Sequence, residues 1–177
     1  MIEKITLGGG CFWCIETLFK RVKGVIKVTS GYSGGHVKNP CYKEVCQKTT
    51  GHIEVVEVVF DNDVIQLEQI IEMFWHLHDP TQMDGQGKDI GPQYMSAVFC
   101  ENENQIQVTL DSKDKAENDK IWDKPFITKI ELKKNFYPAE KEHDDYYDRV
   151  GSENPYCTFV ISPKVAKLQK LFKKDLK

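Results

Sequence analysis

The stretch Gly8-Gly9-Gly10-Cys11-Phe12-Trp13-Cys14 constrains this chain more than any other. An apolar run, Ile5 to Leu7, precedes it and reads as a strand. Ile15, Leu18, Phe19 and Val22 follow it at the spacing of one helical face. Cys11 therefore stands where a glycine-rich turn hands a strand to a helix N-terminus. Unpaired backbone N–H groups and the helix dipole favour negative charge there. The Cys11 thiol is accordingly expected to ionise more readily than a free cysteine, and the thiolate is the reactive form. The plain alternative is a buried cysteine at a tight turn.

The 177 residues suffice for one domain with a substantial core, and no linker-like run divides them. Val25 to Tyr32, Ile53 to Phe60, Tyr94 to Cys100 and Ile127 to Leu132 read as strands. Val64 to Leu77 and Asn102 to Trp122 read as helices, and Tyr137 to Val150 as an acidic, aromatic segment with a short helix. Ser162-Pro163 reads as the N-cap and first turn of a C-terminal helix. Ser33 to Gly51 and His78 to Pro92 are long loops, of the kind that carries function. Strands alternate with helices, but the helices are few, which predicts an α+β sandwich rather than a doubly wound parallel sheet. The domain is expected to span 1–177, with a tail from about 150.

Charge and composition exclude several classes. Twenty-four Lys and Arg against twenty-seven Asp and Glu leave a net charge of −3, so nothing points to nucleic acid or an anionic membrane. Met1-Ile2-Glu3-Lys4 opens no apolar leader and no apolar run is long enough to span a bilayer, so a cytoplasmic location is expected. Six cysteines without a secretion signal argue for thiol chemistry or metal binding over a disulfide framework.

Cys11 and Cys14 form C-x-x-C at a helix start, a spacing that permits an intrachain disulfide and suits a general thiol–disulfide oxidoreductase. Trp13 points away from the apolar stripe of its helix, either packed under a loop or lining a pocket. Glu54 shares a strand face with Val56, Val58 and Phe60, where desolvation keeps a carboxyl protonated and fit to act as a general acid. The alternative is a strand-end acid that reaches water. Tyr42 and Tyr94 offer phenol donors for a polar oxygen. Cys11, Cys14, Cys41 and Cys46 loosely fit a four-thiolate zinc module, with the second pair spaced wider than usual. Cys100 reads as a small buried hydrophobe, and Cys157 as an accessible cysteine on a mobile tail, able to resolve an oxidised Cys11.

Taken together, the motifs resemble the A-type peptide methionine sulfoxide reductases. The resemblance rests on Gly-Gly-Cys-Phe-Trp-Cys at 9–14, Gly-Tyr-Ser-Gly-Gly-His at 31–36, Asn-Pro-Cys-Tyr-Lys-Glu-Val-Cys at 39–46 and Thr-Gly-His-Ile-Glu-Val at 50–55. His-Asp-Pro-Thr-Gln at 78–82, Asp-Ile-Gly-Pro-Gln-Tyr at 89–94, Phe-Tyr-Pro-Ala-Glu and Glu-His-Asp-Asp-Tyr-Tyr within 136–147 complete it, in family order. It implies a ferredoxin-like split βαβ core and reduction of methionine S-sulfoxide, free or in proteins. By the same resemblance Cys11 is the nucleophile, Phe12 and Trp13 cage the S-methyl group, and Glu54 is the acid. Tyr42 and Tyr94 bind the sulfoxide oxygen, and Asp89 supports the site. It implies no bound cofactor or metal, thioredoxin as electron donor, and a monomer. Cys157 is the first candidate to resolve Cys11 and Cys14 the second; Cys46 reads as structural. Cys41, Pro92 and Met95 depart from the family pattern, which touches substrate preference more than reaction type.

Overall fold

The apolar run before the glycines forms strand β1 (Ile2–Gly8), and Cys11 leads into helix α1 (Phe12–Phe19). The computed structural model describes residues 1–177, the side chain of Ser152 apart. In chain order there follow β2 (Val25–Ser33), α2 (Tyr42–Cys46), β3 (Ile53–Asp61), α3 (Leu67–Leu77), β4 (Gly85–Gln86), β5 (Asp89–Ile90) and β6 (Ala97–Cys100). Then come α4 (Glu103–Asn118), β7 (Lys129–Leu132), β8 (Tyr137–Pro138), α5 (Tyr146–Val150) and α6 (Ser162–Phe172).

Six strands form one sheet in the order β7-β6-β1-β3-β2-β8, and β4 pairs with β5 in a separate hairpin. All neighbours in the large sheet are antiparallel except β6 and β7. β1 and β2 thus run the same way, joined over α1 with β3 between them. β3 and β6 likewise run the same way, joined over α3 with β1 between them. The architecture is mixed α/β around a central sheet.

Alternation along β3 sets the layers. Val56, Val58 and Phe60 join Ile5, Leu7, Ile15, Leu18, Phe19, Ile70 and Phe74 in the main core beneath the helices. Ile53 and Val55 point the other way, packing with Ala97, Phe99 and Phe136. Each fully buried apolar side chain contributes roughly 1.5–3 kcal/mol. The same alternation turns Glu54 toward the helical side.

Several boundaries differ from the sequence expectation. The loop over 33–51 contains helix α2, whose start Cys41 marks; the Glu44 carboxylate accepts the Cys41 N–H at 3.0 Å. Pro92 begins a short 3₁₀ turn, Pro92–Tyr94, so β6 starts only at Ala97. α4 stops at Asn118, two residues before Lys120 takes a left-handed φ of 53°. Ser162 is already helical and does not cap; its hydroxyl donates to the Cys157 carbonyl at 3.1 Å across a wide turn, Cys157–Ile161. The C-terminal segment is no loose tail, because α6 packs against α1 and α3.

Candidate active site

The three glycines bring β1 into α1 within two residues of Cys11. Gly10 has φ +100°, and a Cβ there would lie 2.8 Å from Gln86 Cγ, so only glycine fits without moving the β4–β5 hairpin. A Cβ on Gly9 would lie 3.1 Å from His78. Beneath it the neutral His78 ring donates Nδ1–H to the Phe74 carbonyl and accepts from Ser96 Oγ at 2.7 Å, and Ser96 accepts in turn from Thr128 at 2.7 Å. Burial holds the His78 pKa down at about 3, so the floor of the turn stays uncharged.

Cys11 takes the N-cap position of α1, and its carbonyl accepts Cys14 N–H at 3.1 Å. It is only 8% exposed. The expected easy ionisation does not hold in this resting state. Desolvation, then Glu54 and Cys14, raise the thiol well above its ordinary pKa, and the backbone N–H of Trp13 offsets only part of this. One helix N-terminus does not outweigh full burial.

Glu54 lies where its strand face predicts and does not reach water, being 1% exposed. Its Oε1 accepts the Phe12 backbone N–H at 3.1 Å, while its buried Oε2 has no partner. Burial raises its pKa to about 8, so the carboxyl carries a proton at neutral pH. Tyr42 and Tyr94 both lie within electrostatic reach of Glu54, and Tyr94 also of Cys11 and Asp89. Burial and the Glu54 charge push both phenols up, so they stay neutral donors. Asp89, on β5, accepts a hydrogen bond from the Tyr156 hydroxyl.

The two aromatics after Cys11 differ in setting. Phe12 has no exposed surface; its ring packs among Tyr32 at 5.7 Å, Tyr42 at 6.3 Å and His143 at 5.1 Å. Trp13 is partly open. It stacks on Tyr146 at 3.8 Å with 9° between planes, meets Tyr156 edge-on at 6.1 Å and donates its indole N–H to His143 Nδ1 at 3.1 Å.

All six cysteines are free thiols. Cys14 is 1% exposed; burial raises its pKa, while the charge of Lys164 lowers it. Cys157 is not the accessible cysteine expected, since it is 0% exposed within the core. It nevertheless belongs to the same buried cluster as Cys11 and Cys14. Cys46 lies beside the Tyr42 hydroxyl, and Cys100 is buried.

The four thiols of the proposed zinc module do not converge. Among the described residues, the one group with metal-ligand proximity is Glu140, Glu142 and His143. Both Glu140 oxygens are already engaged, by the Tyr32 hydroxyl at 3.0 Å and the Tyr42 N–H at 3.0 Å. A groove of about 310 Å³ between α3 and α4 shares no residue with the thiol site.

Sequence reasoning passed over Tyr32, Glu140, His143, Tyr146 and Tyr156. The signal for Tyr156 is its place directly before Cys157. His143 and Tyr146 lie in the Glu-His-Asp-Asp-Tyr-Tyr run, which carries no apolar periodicity to aim them.

A thiol beside a protonated carboxyl, with further thiols behind it, defines a thiol-based oxidoreductase. The family model described as peptide methionine sulfoxide reductase matches residues 3–176. The chain belongs to that family. It is 48% identical over 176 residues to a peptide methionine sulfoxide reductase MsrA of Saccharolobus solfataricus, covering 99% of this chain and 98% of that protein. An MsrA of Thermus thermophilus is 47% identical, covering 99% and 98%.

Among solved structures, reduced Mxr1 of Saccharomyces cerevisiae superposes with TM-score 0.82 at 30% identity, covering 88% of this chain and 89% of that one. Methionine sulfoxide reductase A of Corynebacterium diphtheriae gives TM-score 0.75 at 32% identity, covering 84% and 74%. Mxr1 in complex with Trx2 gives TM-score 0.58 at 23% identity, a likeness of fold alone. Membership of this family excludes the non-catalytic zinc reading and makes a general disulfide exchanger unnecessary.

Proposed function

We propose that this chain reduces methionine S-sulfoxide, free or in proteins, through Cys11, with Glu54 as the acid. The observation that carries this is the Glu54 carboxyl: protonated at neutral pH, tethered through one oxygen to the N–H after Cys11, and unpartnered at the other. The Cys11 sulfur attacks the sulfoxide sulfur while Glu54 donates its proton to the sulfoxide oxygen. The sulfur–oxygen bond of the substrate breaks, the oxygen bonds to the Cys11 sulfur as a sulfenic acid, and the transient sulfur–sulfur bond breaks as methionine leaves. The thiol proton returns to the carboxylate, so no proton is gained or lost.

Tyr42 and Tyr94 donate to the same oxygen, Asp89 holds Tyr156 beside the thiols, and Trp13 forms the open wall for the S-methyl group with Phe12 behind it. Because the resting thiol is protonated, the positive end of the bound sulfoxide dipole assists its ionisation. A second thiol then condenses with the sulfenic acid, expelling water and leaving a disulfide. Cys14 donates its N–H to the Cys11 carbonyl at 3.1 Å in the first turn of α1, which supports Cys14 as the first resolving thiol, with Cys157 proposed as its successor. This ranks them in the reverse of the order read from sequence. Thioredoxin is the proposed reductant, supported by the yeast relative's complex with Trx2. No bound cofactor enters the cycle.

The strand order β6-β1-β3-β2 with α1 and α3 as crossovers supports a ferredoxin-like split βαβ core. One catalytic domain over 1–177, acting as a cytoplasmic monomer, completes the proposal. Among the described residues, no helix is long and apolar enough to cross a membrane. The test is reduction of resolved epimers with a dithiol reductant. The S-epimer is reduced and Cys11→Ser abolishes turnover. Full turnover by Cys11→Ser would refute the assignment.

A further inference from the structure

We propose that His143 is a positioning residue for Trp13, holding the indole as the wall of the sulfoxide site, and doing so only while its own ring is uncharged. The inference rests on the function proposed above.

Trp13 stacks flat on Tyr146, and stacking alone fixes the plane of a ring but not its direction within that plane. The directional contact is the hydrogen bond from Trp13 Nε1–H to His143 Nδ1 at 3.1 Å. It spans from α1 to the 3₁₀ turn Lys141–His143 and is, among the described residues, the one hydrogen bond of the indole.

An accepting Nδ1 places the single proton of a neutral imidazole on Nε2. That Nε2 is buried and has no partner. An unpartnered buried N–H is costly, so the ring is not arranged for its own stability. The opposite tautomer would set two N–H groups against each other at Trp13. The rings of Phe12 at 5.1 Å and Tyr42 at 4.7 Å close the remaining sides. The same tautomer argues against a metal held with Glu140 and Glu142, since ligation through Nε2 would require the proton on Nδ1, facing the indole N–H.

The charge state follows from the surroundings. Burial lowers the His143 pKa, opposed by Glu140, Glu142 and Asp144 on its own segment. Arg149 of α5 donates to the Glu142 and Asp144 carbonyls at 2.6 and 2.8 Å, adding a cation alongside. From α1 and α2 the packed groups are Phe12, Trp13 and Tyr42, and Tyr42 remains a neutral phenol. His143 is therefore neutral at pH 7. As pH falls below the ordinary histidine range the ring gains a proton at Nδ1, the acceptor is lost, and the indole is released.

The test compares wild type, His143→Asn, His143→Leu, Trp13→Phe and the His143→Leu/Trp13→Phe double variant. Single-turnover reduction of N-acetylmethionine S-sulfoxide is followed from pH 5 to 8. Asn presents Oδ1 where Nδ1 stood. His143→Leu should raise the half-saturating concentration about tenfold with the saturating rate nearly unchanged, the size of one neutral hydrogen bond. His143→Asn should restore it and lack the acid-side rise expected of wild type. In the Trp13→Phe background, His143→Leu should do nothing further.

A wild-type half-saturating concentration in His143→Leu, or an acid-side rise that persists in His143→Asn, overturns the proposal. Should His143→Leu not fold, the pH arm with His143→Asn decides alone. Wild type inactive on the sulfoxide would instead overturn the function itself, and this proposal with it.

Discussion

Glu54 and the backbone of Phe12 are joined by a single hydrogen bond, Phe12 N–H to Oε1 at 3.1 Å, which leaves Glu54 Oε2 buried and unpartnered. The carboxyl is thereby tied to the first residue of the helix that Cys11 caps. Because Glu54 is fixed on β3, a shift of that helix against the strand would break this bond and separate nucleophile from acid. The tethered oxygen orients the group, and the other carries the proton.

Replacing Glu54 with Gln should slow single-turnover reduction at pH 7 by about 10²–10⁴-fold, the usual weight of a positioned acid. An unchanged rate removes Glu54 from the role.

The same variant makes a stability prediction. The folded pKa of Glu54, about 8, lies above its ordinary value of 4.5. Its contribution is therefore full below the ordinary carboxylate range and is lost as pH rises through about 8, where folding must bury a charge. Glu54→Gln should gain thermal stability relative to wild type on going from pH 6 to pH 9. Parallel melting curves across that range would contradict the burial argument.

Cys11 should be a sluggish thiol at rest. Mass-mapped alkylation by iodoacetamide should label it more slowly than free cysteine at pH 7, with the rate still climbing above pH 9, because its pKa stands well above the ordinary 9.0. Labelling already at its plateau at pH 7 would restore the easily ionised thiol that the helix start suggested.

Gly10→Ala tests the turn. Its φ of +100° and the 2.8 Å approach to Gln86 leave no room for a methyl group. The variant should lose about 1–3 kcal/mol or more in denaturant titration, and activity beyond that, since Cys11 is the next residue. A neutral outcome would show that the hairpin over the turn yields freely.

His78 should make the fold acid-sensitive. Its folded pKa of about 3 lies below the ordinary 6.5, so its contribution is present above 6.5 and is lost as pH falls toward 3. Stability should decline over that window in wild type and more gently in His78→Leu. That variant should also be weaker at pH 7 by about 1–3 kcal/mol, from the lost bonds to the Phe74 carbonyl and the Ser96 hydroxyl.

Where a single element dictates its own geometry, the sequence was readable. Period-two alternation turned Glu54 inward, and the glycines before Cys11 marked the strand-to-helix junction. Contacts across many residues were not readable. His143 meets Trp13 over a separation of 130 positions, and Tyr156 reaches Asp89 over 67. No local pattern encodes either. The thiol pKa was misjudged for a related reason: a helix start is visible in sequence, while the burial that outweighs it is a property of the packed chain. Cys157 was misjudged likewise, because a C-terminal segment reads as a tail until α6 is seen against α1 and α3.

The most direct test of the account is one turnover on S-sulfoxide substrate without reductant, followed by mass mapping of the protein. With one equivalent of substrate per chain, about one methionine should be released and a new disulfide should join Cys11 to Cys14, or Cys14 to Cys157 after exchange. Methionine released while Cys11 and Cys14 both remain free thiols would contradict it.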